Sequence, residues 1–305
     1  MDGGNSSYGT AVVGTVSGTS ISFGTPVVYE SASTREVSAT FDSNSNKVVI
    51  SYKDEGNSNY GTAVIGTVSG TSISFGTPVV YNAGIVYATS IAFDSSTNKV
   101  VIAYQDGGNS NYGTAIVGTV SGTTISFGTE VVFASSYSSE EKVVFDSNSN
   151  KVVIAFVTGG NLKAIVGTVS GTSISFGAVS DVDSSITHVS AAFDSTAGKV
   201  VIAYRDGGNS NYGTAIVGTV SGTSISFGAP VVFKAAAVIY TAVAFDSNAS
   251  KVVITYRDSG NSNYGTLSVG SVSGTSISFD SELVFNTSSV NYTAVGFDSN
   301  SNKIV

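Results

Sequence analysis

The chain of 305 residues has no cysteine, no tryptophan, one histidine, one methionine and three prolines. Without cysteine there is no disulfide framework, no thiolate metal site and no cysteine nucleophile. With one histidine, imidazole chemistry has a single address, His188. Charged residues are only 11% of the chain, which is too few for a solvated disordered polymer. No apolar run reaches the ~18–20 residues of a membrane-spanning helix, so no membrane insertion is expected. No signal-peptide pattern opens the chain. Met1 begins partway through a repeated pattern, so the sequence reads as a piece cut from a longer protein. Basic residues form no stripe, and nucleic acid is not expected as a partner. The net charge of −8 comes largely from recurring turns: six Asp lie in an "FDS" turn and five in a "D-x-G-N-S" loop.

What the chain has is repetition. "GTVSGTSISFGTPVVY" stands at 14–29 and again at 66–81, with near-copies starting at 118, 167, 218 and 270. The FDS phenylalanines are Phe41, Phe93, Phe145, Phe193, Phe245 and Phe297, spaced by 52, 52, 48, 52 and 52 residues. A period of this size belongs to propeller blades or solenoids. From Val37 to Tyr81 four strand-like runs follow one another: "VSATF", "KVVISY", "TAVIGTV" and "SISFGTPVVY". Each is rich in Val, Ile, Thr and aromatics and is bounded by Gly, Asn, Asp and Ser. Short connections between them predict antiparallel hairpins.

The second and third runs are apolar on both faces, where a strand with one wet face alternates. Each four-stranded sheet is therefore expected between two like sheets. The fourth run carries all three prolines at one position (Pro26, Pro78, Pro230), with Glu130 and Glu282 there in two other copies. Proline and charge mark an outer edge. The chain stops at "NKIV", in a second strand, and starts at "MDGGNSSYG", the loop before a third. Joining Val305 to Met1 keeps the phase with three residues missing. The expectation is an all-β, six-bladed β-propeller: one monomeric domain over 1–305 in six repeats of about 52 residues. Its ring closes by pairing the N-terminal third and fourth strands with the C-terminal first and second.

The wording "FDSNSNKVVI", "DGGNSNYGTA" and "VGTVSGTSISFG" resembles repeats of tail-fibre-like proteins from marine viruses and phages, over the whole chain. The resemblance implies an adhesive, receptor-binding role outside the cell, on an extracellular or virion surface. It carries no site residues with it.

Copies inside one chain can be compared with one another. From FDS through the fourth strand they are nearly identical, including exposed loop letters that packing is not expected to hold, and this reads as recent duplication. The stretch from the fourth strand to the next first strand differs in every copy and reads as six variable loops. Five and six residues before each FDS Phe lie Arg35/Glu36, Tyr87/Ala88, Ser139/Glu140, Thr187/His188, Ile239/Tyr240 and Asn291/Tyr292. Loops on a rigid scaffold are where binding residues sit, although unrestrained loops also drift. Arg35, Glu36, Tyr87, Glu140, His188, Tyr240 and Tyr292 are the candidate ligand-binding ring.

The loop between second and third strands adds Tyr60, Tyr112, Tyr212 and Tyr264, which sit beside Asn and Asp and suit a sugar. The plainer reading is a Gly/Asn turn. Asp42, Asn44 and Asn46 have the alternating spacing of a calcium loop but lack its glycine and bidentate acid, so an Asx-type turn with Asp facing Lys47 is expected. No metal and no cofactor is implied.

Two classes of function compete. The reading taken forward is a non-enzymatic binding or adhesion module recognising a surface glycan or protein receptor. The alternative is a structural spacer in a longer fibre, or a glycosidase- or lyase-type propeller enzyme. A glycosidase needs two carboxylates across the bond, and Glu36 and Glu140 are the pair available. A sialidase-type site wants clustered arginines, but the three, Arg35, Arg205 and Arg257, fall in different repeats.

Overall fold

The computed structural model describes residues 4–305, which form β-strands and turns with no helix. The chain divides into two compact units. One runs through Val143 and includes Thr168–Ser175; the other comprises Val144–Gly167 and Phe176–Val305.

In the first unit Val27–Asp42 pairs antiparallel with Lys47–Asp54, and that strand pairs with Tyr60–Ser69. Tyr60–Ser69 is then flanked by two segments, Ser72–Phe75 and the start of Val79–Asp94. The order repeats through Lys99–Asp106 and Tyr112–Ser121 in one ten-stranded sheet. The second unit repeats it in a nine-stranded sheet from Ile186–Asp194 to Leu283–Ser289. Gly14–Ser17 with Ser20–Phe23, and Phe297–Asp298 with Lys303–Ile304, stand as separate two-stranded sheets. Met1 and Asp2, on which part of the expected ring junction falls, lie outside the described residues.

The turns follow their chemistry. In the FDS turn Asp42 Oδ1 accepts the N–H groups of Asn44 (2.9 Å) and Ser45 (3.0 Å), and Oδ2 accepts the Ser45 hydroxyl at 2.6 Å. Asn46 closes the turn at φ 56°, a conformation Asn tolerates. Asp94, Asp146 and Asp298 are used in the same way. The expected Asp–Lys pair is corrected: Lys47 Nζ donates instead to Thr67 Oγ1 at 2.9 Å, and Lys251 to Ser271 Oγ. The turn's own donors already occupy the aspartate.

Both faces of the second and third strands are dry, as their apolar pattern requires. Val100, Ile102 and Tyr104 pack with Ala63, Ile65 and Tyr81 of the preceding repeat, while Val101 and Ala103, pointing the other way, are also fully buried. An aromatic wedge recurs in this seam. Tyr81 enters between Tyr104 and Phe127 of the next repeat at ring-centroid distances of 5.2 and 5.7 Å. Phe233 does the same with Tyr256 and Phe279. The wedge ring also lies directly on the third strand of its own repeat: a Cβ on Gly61 would sit 2.4 Å from Tyr81.

Two expectations about the fourth strand change. It is not one run: after Phe75 pairs with Gly66, pairing resumes at Val79 with Ala63, so Gly76–Pro78 bulge outward. The bulge glycine receives the next repeat. A Cβ on Gly76 would lie 1.8 Å from the Thr123 carbonyl oxygen, and Gly24, Gly128, Gly177 and Gly228 meet Thr71, Thr172, Thr223 and Thr275 at 1.8–1.9 Å. The loop letters read as duplicated without restraint are therefore held by packing between repeats. Nor are the edge glutamates solitary charges. Glu130 accepts Asn82 Nδ2 at 2.9 Å and Glu282 accepts Lys234 Nζ at 2.7 Å, each from the preceding repeat.

Gly76→Ala forces the Thr123 backbone away and is expected to cost about 2–3 kcal/mol, the usual range for overpacking. Gly70→Asn, at φ 60° with nothing near its Cβ, is expected to cost at most ~1 kcal/mol, because Asn accepts this backbone conformation. Urea denaturation of both variants checks the contrast.

Candidate functional site

Most of the variable stretches expected as loops are strands; in the last, residues 290–296, Tyr292 among them, lie outside any strand. Val27–Asp42, Val79–Asp94 and Val231–Asp246 each run unbroken from the outer edge of one repeat into the first strand of the next. Their backbone groups are satisfied by the neighbouring turn, so no loop is needed. Glu55 N–H donates to Ser33 C=O at 3.0 Å, Gly107 to Ile85 at 2.7 Å and Ser259 to Ala237 at 2.9 Å.

Each crossing carries one irregularity. Pairing skips between Arg35 and Ser38, Tyr87 and Ser90, Thr187 and Ser190, and Ile239 and Ala242. At this step φ turns positive: 50° at Glu36, 48° at Ala88, 60° at Glu140, 54° at His188 and 55° at Tyr240. Such a conformation costs a non-glycine residue on the order of 1–3 kcal/mol and persists only where neighbours enforce it. For three of the five the neighbours are threonines one repeat on. Thr89 Oγ1 donates to the Glu36 carbonyl, Thr241 to that of His188 and Thr293 to that of Tyr240. Bulges re-aim side chains, and these bulges aim the expected ring.

In the first unit three consecutive crossings enclose a cavity of about 360 Å³, lined in part by Glu36, Tyr87, Thr89, Ser139, Glu140 and Lys142. Glu36 Oε2 accepts the Ala88 N–H at 3.2 Å, which anchors one carboxylate. Lys53 Nζ lies 4.3 Å from the centroid of Tyr87, a cation–π contact that holds the ring. The structure thus brings Glu36, Tyr87 and Glu140 together. Arg35 is drawn elsewhere: its Nε contacts Glu55 Oε1 at 2.6 Å. Glu55 also accepts the Ser33 hydroxyl, and the Ser33 and Arg35 bonds hold its carboxyl below the usual range.

In the second unit the same positions carry rings that stack in sequence. His188 and Tyr240 have centroids 5.0 Å apart, and Tyr240 and Tyr292 4.4 Å. The loop tyrosines are not part of either group. Tyr60, Tyr112, Tyr212 and Tyr264 begin third strands, half-buried, each donating its N–H at 3.0 Å to an asparagine carbonyl three residues back. The serine and asparagine before each are left-handed, as at Ser58 (57°) and Asn59 (65°), which is turn geometry. Arg257 donates from Nε to Asn263 Oδ1 of its own loop at 2.9 Å.

Two charged residues beside the cavity were not among the sequence candidates, Glu141 and Lys142. Column by column the copies show them: Val37, Thr89, Val189, Thr241 and Thr293 stand where Glu141 is. Glu141 is fully buried, Ser138 Oγ donates to its Oε1 at 2.6 Å, and its Oε2 has no hydrogen-bond partner. Burial, aided by the charge of Glu140, pushes its pKa up to about 7 against the opposing Ser138 bond.

No family model matches the chain, and no curated protein does. Solved structures do. A triple arginine-to-alanine mutant of AofleA from Arthrobotrys oligospora aligns over 94% of this chain and 91% of its own, at 12% identity and TM-score 0.54. The NanB sialidase from Streptococcus pneumoniae aligns over 76% of this chain at 19% identity and TM-score 0.48; the match spans 40% of the sialidase. An exo-β-1,3-galactanase from Phanerochaete chrysosporium aligns over 73% of this chain and 56% of its own, at 8% identity and TM-score 0.49. Identities this low speak for the fold, an all-β, propeller-like one. The expectation of a non-enzymatic adhesion module is not carried forward: the solved structures this chain is similar to include a sialidase and a galactanase, at identities that speak for the fold alone.

Glu141, between two residues that line the cavity, gives a test by pH. The folded state holds a proton that the unfolded state releases near pH 4.5, so stability falls as pH rises from about 4.5 through 7 and is level above. The loss is up to about 3 kcal/mol. Glu141→Gln lacks this slope, and the stability gap between variant and parent is expected to widen by that amount between pH 4.5 and 8 in denaturant titrations.

Proposed function

We propose that this chain is a glycan-processing hydrolase in which Glu36 and Glu140 act as a carboxylate pair. The observation that carries the reading is the cavity of about 360 Å³ that Glu36, Tyr87 and Glu140 line together. Hydrolysis of a glycosidic bond asks for one carboxyl group to protonate the leaving oxygen and a second to attack, or to activate water, from the other side. Residues held in strained backbone on three interlocked strands keep their aim, which is what catalysis by positioned groups requires. Tyr87, steadied by Lys53, supplies a flat surface for a sugar ring.

The scaffold in this proposal is a propeller of six blades, its split blade made from the two chain ends. The six near-equal repeats of the sequence support that count. An extracellular or virion-surface setting, with glycan as the partner, belongs to the same proposal.

A panel of fluorogenic aryl glycosides, neutral and sialylated, tests the reading. Turnover by the parent chain is expected, with Glu36→Gln and Glu140→Gln each lowering kcat by about 100-fold or more at unchanged thermal unfolding. Turnover that survives both substitutions would remove the pair from the mechanism.

A further inference from the structure

The bulge positions carry acids in one unit and rings in the other. Glu36, Ala88 and Glu140 occupy them in the first unit; His188 and Tyr240 occupy them in the second, and Tyr292 stands at the corresponding place of the last repeat, outside any strand. The rings make a continuous row. His188 meets Tyr240 edge to face at 66°, and Tyr240 meets Tyr292 at 45°. Tyr292 at the end of the row is 77% exposed, so one ring face has no protein against it.

Mutual packing does not explain this arrangement. Ring pairs of this kind add about 0.5–1.5 kcal/mol, whereas holding bulky side chains at φ 54° and 55° costs as much or more. The threonine bonds to the His188 and Tyr240 carbonyls fix the backbone that carries the rings. Two of the three rings are therefore organised before any ligand arrives, which lowers the cost of binding one. An open ring face bordered by phenolic hydroxyls is apolar at its centre and polar at its margin. A pyranose has the same character, with C–H bonds on a ring face and hydroxyls around it.

We propose that His188, Tyr240 and Tyr292 form a saccharide-stacking platform that takes a neutral pyranose ring without cleaving it. It is a second site, separate in its residues from the carboxylate cavity, and it does not depend on that cavity being catalytic.

The lone histidine is the reporter, because its imidazole protons give one set of NMR signals in the full chain. Cellotetraose, xylotetraose and laminaritetraose are titrated in turn. At least one is expected to shift the His188 resonance saturably. Tyr292→Ala should weaken that binding by roughly tenfold, while Tyr292→Phe, which keeps the ring face, should bind close to the parent. Tyr292 is mostly exposed, so the variant is expected to unfold at the parent temperature, and its melting curve is measured alongside. The Glu36→Gln, Glu140→Gln double variant should bind as the parent does even where it has lost turnover. No shift with any of the three sugars, or parent-like binding by Tyr292→Ala, overturns the platform. Loss of the shift in the double carboxylate variant also overturns it, since the sugar would then belong to the cavity.

Discussion

Everything in this fold depends on how one repeat touches the next. A carbonyl oxygen from the "SGT" turn sits where a side chain would otherwise be, over the bulge glycine of the preceding repeat, and it does so five times. The same seam takes the aromatic wedge, whose ring lies on a second glycine of its own third strand. Both the carbonyl and the wedge join consecutive repeats, so the unit of stability is the pair. The wedge position shows what the seam does: Phe233, seated between Tyr256 and Phe279 of the next repeat, is 6% exposed, while Phe285 is 50% exposed.

That dependence governs what could be read in the sequence. The four strands, the hairpin turns and the two dry faces were legible, because each is written in local residue types: Val and Ile runs, Gly at turns, Asp and Asn at Asx turns. The seam was not. Gly76 and Thr123 are far apart in the chain, and nothing near either one says they meet. Their sameness across copies therefore looked like duplication without restraint. The crossings failed for another reason. Stretches such as "ESASTREVS" lack the apolar alternation of a strand, and main-chain bonds to the adjacent turn keep them extended.

The candidate site was legible in position and less so in form. Counting back from the FDS Phe found the bulge residues, because the first strand has constant length between them. It could not show that Arg35 would be captured by Glu55 while Glu36 turned toward Glu140. Adjacent residues at a bulge point in unrelated directions, so a pair read as one candidate splits into two fates. Glu141 and Lys142 needed only a column comparison, in which they are the charged exceptions among Val, Thr, Ser and Ala.

The same inter-repeat logic explains why function collects at the bulges. Positions in the seam are constrained, since a change at Gly76 or Tyr81 disturbs two repeats at once. The crossing is held chiefly by its backbone, through turn N–H groups and the threonine bonds to bulge carbonyls. The residue type at the bulge can therefore change from copy to copy. Glu, Ala, His and Tyr all occupy one backbone conformation there, at φ between 48° and 60°. A scaffold that accepts such different groups at one strained, fixed geometry can place acids in one unit and a row of rings in the other without altering the fold that carries them.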